Sequence, residues 1–167
     1  ILFDPTLTTK SSLEDCFRIF VPNKNTQSQP AWRIQEHQRP NNDENDITQI
    51  YTDGSCTNNG KQNAKSGSGI WFGPNDPRNT HIRTPGPNQS NQAGEITAVI
   101  VAAQICDPLK QLQILTDSKY VISGLTEYLK TWEDQGWIGT KNQKLFEAAA
   151  YQLRRRAAPT TLKWVKG

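Results

Sequence analysis

The chain contains no methionine and begins at Ile1, so it reads as a segment of a longer product. Only two histidines are present, His37 and His81, and neither lies near a cysteine, which argues against a zinc site. Cys16, Cys56 and Cys106 form no C-x-x-C pair and no framework spacing. They read as reduced thiols of an intracellular protein, with nucleus and mitochondrion both open as compartments. No apolar run approaches the ~18 residues of a membrane span, and no secretory signal pattern is visible. No membrane partner is expected, and a chain of 167 residues suits one domain with a real core, acting as a monomer.

The net charge of +3 hides an asymmetry. Residues 1–46 hold five Lys/Arg against seven Asp/Glu, whereas residues 47–167 hold fourteen against nine. The second segment is distinctly basic, which suits a phosphate-backbone partner. Residues 1–46 read as an N-terminal extension. A capping box at Ser11-Ser12-Leu13-Glu14 opens a short helix that Pro22 ends, and a largely disordered linker rich in Asn, Gln, Pro and charge runs from Asn23 to Asp46.

Residues 47–167 alternate strand and helix. Strands are expected at 47–53, 64–72, 80–84, 112–117 and 161–165, and helices at 91–104, in short pieces over 118–132, and at 142–156. Three sequential strands followed by helix–strand–helix–strand predict an α/β fold, a mixed sheet with helices packed on it.

Three acids stand where such a sheet gathers ligands. Asp53 closes the run Ile47–Thr52, which breaks at Gly54, and Asp117 closes Leu112–Thr116. Glu95 sits near the start of a helix whose Ile96, Val99, Ile100 and Ala103 share one face. Like charges drawn together need a cation, and oxygen-only ligands suit Mg²⁺ or Mn²⁺. The reading is a two-metal phosphodiester site. The bland alternatives are a turn-starting Asp53, a Glu95 placed by the helix dipole, and an Asp117 that caps the helix after it. Likewise Arg154-Arg155-Arg156 reads as a solvated helix end, Trp132, Trp137 and Trp164 as packing residues, and Cys56 as a small turn residue with no base partner.

Six stretches then occur in an order that resembles type 1 ribonuclease H. They are Ile50–Cys56, Gly67–Pro74, Asn91–Glu95, Thr116–Val121, Trp132–Trp137 and Trp164–Gly167, and the second and fifth resemble the eukaryotic form. The resemblance covers residues 47–167 and implies a ribonuclease H-like mixed five-stranded sheet flanked by helices. It implies an endonuclease that cuts the RNA strand of an RNA–DNA hybrid with two Mg²⁺ ions, for which Mn²⁺ can substitute, leaving 5′-phosphate and 3′-hydroxyl ends. Asp53, Glu95 and Asp117 resemble its first three metal-binding carboxylates.

The same resemblance assigns substrate contacts. Asn59, Asn91 and Gln92 match amides that read the RNA 2′-hydroxyl across a shallow groove, with Cys56 and Asn58 on the same turn. Lys119 stands where the family contacts the RNA strand. Tyr120 and Tyr128 match aromatic positions lining the DNA-strand channel, and Ser90 and Asn142 match a pocket for one DNA phosphate. The chain departs from the pattern at Ala93 and Asn88, where the family carries Arg, and the loss of those charges is expected to soften the salt dependence of binding. The family's later loop, fourth catalytic Asp and final helix have no counterpart before Gly167. Two alternatives follow: a weak or inactive relic of a retroelement that binds hybrid or duplex, or another nuclease of the same fold, such as an integrase, transposase or resolvase.

Overall fold

A computed structural model describes residues 47–167. The helix and linker expected before residue 47 lie outside the described residues. Five strands form one mixed sheet in the order β3-β2-β1-β4-β5. β1 (Ile47–Thr57), β2 (Lys65–Trp71) and β3 (Thr80–Arg83) make an antiparallel meander, and β4 (Gln111–Thr116) and β5 (Thr160–Trp164) run parallel to β1. Parallel neighbours need crossovers, and the chain supplies them as helices. α1 (Asn91–Ile105) leads into β4, while α2 (Lys119–Leu125), α3 (Leu129–Asp134) and α4 (Gln143–Arg154) lead into β5.

The alternation of β1 decides which side chains reach which face. Ile50, Thr52 and Gly54 point into the buried layer, whereas Gln49, Tyr51, Asp53 and Ser55 point to the open face. α1 lies on β1 and β2 and against α4, so its apolar residues are covered on two sides. Ile50, Ile70, Ile96, Val99, Leu112, Ile114, Val121 and Phe146 form the core. Each such side chain contributes roughly 1.5–3 kcal/mol by leaving water. Gly124 sits inside α2 despite its poor helix propensity because the Phe146 ring edge occupies the space a Cβ would need.

Three expectations need correction. β1 does not break at Gly54; it continues to Thr57 and turns at Asn58-Asn59-Gly60. Gly54 is needed for proximity, since a Cβ there would collide with the backbone of Gly94 and Glu95. The arginine run is not a uniformly solvated helix end. Arg156 is buried and donates to the carbonyls of Cys106 (3.0 Å), Asp107 (2.9 Å) and Lys110 (2.7 Å) and to Thr160 Oγ1 (3.0 Å). Arg154 makes a forked pair with Glu133 at 2.5 and 2.8 Å. Finally, Trp132 and Trp137 pack against the core as expected, but Trp164 is 47% exposed.

Candidate active site

Register brings the first two acids together. The β1–β4 ladder ends at the pair Tyr51 and Leu115, and Asp53 and Asp117 each follow two residues later on these adjacent segments. Both side chains are exposed at the end of the parallel pairing. For Asp117 this is the strand-end position expected from sequence; Asp53 instead lies within β1, which runs on to Thr57 paired with β2, and it is level with the end of β4.

Glu95 arrives from the other layer. α1 starts at Asn91 and has no acid in its first turn, so a dipole-driven placement does not explain Glu95. Close packing explains it. A Cβ at Gly94 would lie 2.7 Å from the Gly67 carbonyl oxygen and 3.3 Å from Gly54 Cα. The Ser68 hydroxyl donates to the Gly94 carbonyl at 2.7 Å, and the Ser66 hydroxyl to the Ser90 carbonyl at 2.8 Å. With two glycines at the crossing, the helix sits low on the sheet and lowers Glu95 into a buried position beside the strand ends.

Asp53, Glu95 and Asp117 each offer an oxygen within 4.8 Å of the others. Burial first, and then the charges of Asp53 and Asp117, raise the Glu95 carboxyl to about 7, with a hydrogen bond from the Gly54 amide opposing them. Glu95 Oε2 is buried with no hydrogen-bond partner among the described residues. A buried anionic oxygen without a donor is costly, and a cation is the partner that such a triad lacks. The donor set is oxygen only, with two carboxylates open to water, and it fits a hard divalent ion. Asp117 is not spent on capping, because the cap of α2 is Ser118, whose Oγ accepts from the Val121 amide at 3.4 Å.

The other predicted residues fall into two groups and single positions. Asn58 takes a left-handed conformation (φ 54) in the β1–β2 turn, and Asn59 Oδ1 accepts from the Asn91 amide at 3.3 Å, tying that turn to the start of α1. Gln92 is half-buried on the first turn of α1, and Cys56 is half-buried near the end of β1. Ser90 caps α1, its Oγ accepting from the Ala93 amide at 3.1 Å. Tyr120 and Asn142 meet: Asn142 Nδ2 donates to the Tyr120 hydroxyl at 3.2 Å, and that hydroxyl donates to the Lys141 carbonyl at 3.3 Å. The Tyr120 ring packs edge-on to Phe146, and the side chain is half-buried against the core. Tyr128 is exposed beside Trp132, and Lys119 is exposed at the start of α2. Ala93 is fully buried, so the position the family fills with Arg faces the interior here.

Sequence reasoning missed Trp164. Its indole N–H donates to the Asp117 carbonyl at 3.1 Å, and its ring lies 5.0 Å from Lys119 Nζ. The available signal was its place at the end of a strand parallel to the one that delivers Asp117. A groove of about 330 Å³ on the open face, lined by Tyr51, Asp53, Gly69, Trp71 and His81 among others, reaches the site at Asp53 alone.

A family model, RNase H, matches residues 45–167. The chain belongs to the RNase H family. It is 31% identical to human Ribonuclease H1 over 123 residues, covering 72% of this chain and 43% of that protein. It is 30% identical to Ribonuclease H of Ruthia magnifica over 124 residues, covering 71% of this chain and 81% of that protein. The chain thus spans less than half the length of its human relative. Among solved structures, LC9-RNase H1, described as a type 1 RNase H with the type 2 active-site motif, aligns with a TM-score of 0.58 at 21% identity over 80% of this chain and 66% of that one. The RNase H domain of prototype foamy virus aligns with a TM-score of 0.51 at 24% identity over 71% of this chain and 78% of that one. These likenesses show the RNase H fold: a mixed five-stranded sheet with flanking helices, as the sequence predicted.

Proposed function

We propose that this chain hydrolyses the RNA strand of RNA–DNA hybrids, as a Mg²⁺-dependent endonuclease leaving 5′-phosphate and 3′-hydroxyl ends. The observation that carries the reading is the meeting of Asp53, Glu95 and Asp117 in one oxygen-only cluster within an RNase H-family domain. Asp53, Glu95 and Asp117 would hold the divalent ions, which when bound supply an activated water and neutralise charge on the leaving 3′ oxygen.

The chain's own residues do the rest. The Gly54 amide orients Glu95, and the exposed Asp53 and Asp117 carboxylates stand at the surface where a phosphodiester must arrive. The Asn59–Asn91 link fixes a turn and a helix start as one polar rim, suited to reading a 2′-hydroxyl in a shallow groove. The paired Tyr120 and Asn142, with exposed Tyr128 beyond, offer an aromatic and amide surface for the second strand. Those substrate roles support hybrid preference over double-stranded DNA, which an integrase-type enzyme would favour.

The test compares purified protein and its Asp117→Asn variant on labelled RNA–DNA hybrid, duplex RNA and duplex DNA in Mg²⁺. Cleavage of the RNA in the hybrid alone, abolished in the variant while hybrid binding persists, is the expected result. Mg²⁺-dependent cutting retained by Asp117→Asn would refute the assignment. Cutting of duplex DNA in preference to hybrid would move the chain to the integrase class, and hybrid binding by the unaltered protein without cutting would make it a binding module.

A further inference from the structure

Three contacts from the end of β5 converge on Asp117. The Val165 amide donates to the Thr116 carbonyl at 3.0 Å, carrying the β4–β5 pairing to the residue before the acid. The indole N–H of Trp164 donates to the Asp117 carbonyl at 3.1 Å. Gly167 lies directly against the Asp117 carboxylate, so closely that a Cβ there would overlap Oδ2. The β1 side offers no such support, since its ladder with β4 has already ended at Leu115.

Trp164 makes a second contact with its ring. Lys119 Nζ sits 5.0 Å from the ring centroid, within cation–π range. Both side chains are exposed, so burial explains neither. Phenylalanine would supply the face without the donor, and leucine would supply neither. One indole therefore ties together the backbone of a proposed metal ligand and the cation two residues beyond it.

The electrostatic setting gives that tie a use. Three clustered carboxylates repel an approaching phosphate backbone, and a fixed cation at their rim offsets the repulsion. A lysine on four rotatable bonds is a poor fixed charge unless something holds its end.

We propose that Trp164 is a positioning residue: its indole N–H anchors the Asp117 backbone while its ring holds Lys119 beside the carboxylate cluster to meet a phosphate of the bound strand. The inference rests on the nuclease reading above and deepens it.

The experiment is a double-mutant cycle on hybrid binding, read by fluorescence anisotropy in EDTA across a salt series, with Lys119→Gln, Trp164→Leu and the double variant in the full chain. Each single variant should lower the salt-dependence slope by about one, the signature of one lost phosphate contact, and the double variant should lower it no further. Trp164→Phe should keep the slope, yet lower kcat by between about twofold and tenfold with KM unchanged, one hydrogen bond's worth. Additive slope losses in the double variant, or a wild-type slope in Trp164→Leu, would overturn the proposal. A readout that needs no variant to fold is the proton NMR of the free wild-type protein. Lys119 ε-methylene protons should be shifted upfield by the indole ring current, and ordinary lysine shifts there would equally overturn it. A wild type that binds hybrid but never cuts would sink the nuclease reading and leave the cycle readable. A cutting wild type with additive losses would sink this inference alone.

Discussion

Gly54 and Gly94 face each other where α1 crosses β1, and a methyl on Gly94 would stand 3.3 Å from Gly54 Cα. That crossing sets the depth of the helix, and with it the position of Glu95, the next residue. Gly69, which pairs with Asp53 from β2, has open space where a Cβ would sit. Gly54→Ala and Gly94→Ala should each cost about 1–3 kcal/mol, the usual range for overpacking, and should weaken divalent-ion binding by displacing Glu95. Gly69→Ala should stay within about 0.5 kcal/mol of wild type. Urea denaturation of the three variants decides it, and equal losses at all three glycines would contradict the packing argument.

Glu95 predicts an unusual pH dependence for the metal-free protein. Its carboxyl titrates near 4.5 when unperturbed and near 7 when folded. Below 4.5 it is protonated in both states and carries no penalty. Between 4.5 and 7 the folded state binds more protons than the unfolded one, so stability falls as pH rises. Above 7 the whole penalty, on the order of 3 kcal/mol, is present. In EDTA, the Glu95→Gln protein should be the more stable at pH 8 and should show a flatter profile from 4.5 to 7. A wild-type profile that rises across that window would contradict a Glu95 carboxyl raised by burial beside two other acids.

Asp117 and Ser118 separate charge from capping. Ser118→Ala removes the cap of α2 and should cost about 1 kcal/mol. Asp117→Asn removes only a repelling charge and should leave metal-free stability equal or higher. Thermal melts in EDTA test the pair. A larger loss in Asp117→Asn than in Ser118→Ala would give Asp117 the structural role that the geometry denies it.

Arg156 closes the bottom of the domain, away from the proposed chemistry. Its guanidinium satisfies three carbonyls and one hydroxyl drawn from the end of α1, the loop after it and the start of β5. Arg156→Met leaves those buried acceptors unpaired and should cost about 3 kcal/mol or more. Arg155→Ala, at an exposed position with its guanidinium 5.6 Å from the Tyr151 ring, should stay within about 0.5 kcal/mol. Chemical denaturation of both variants provides the check.

These cases show where sequence reading succeeded and where it stopped. The strands, the helices and the meeting of the three acids were legible because alternation, helical spacing and turn residues act over a few neighbours. The continuation of β1 through Gly54 was not, because Asp-Gly has the local chemistry of a turn and only the distant Gly94 reveals it as a close approach. Arg156 looked solvated because its partners lie about fifty residues away at Cys106 and Asp107. Trp164 looked like packing because indole burial is the common case, and its hydrogen bond to Asp117 spans 47 residues. Local signals place elements, and long-range contacts assign the jobs of individual side chains.

The central claim, that three carboxylates from β1, α1 and the end of β4 form one divalent-ion site, is tested most directly by calorimetric titration with Mn²⁺. Wild-type protein should bind it, and Asp53→Asn, Glu95→Gln and Asp117→Asn should each lose about tenfold or more in affinity, no less than is usual even for groups that merely support ligands. Three variants that all bind Mn²⁺ as tightly as wild type would contradict the account.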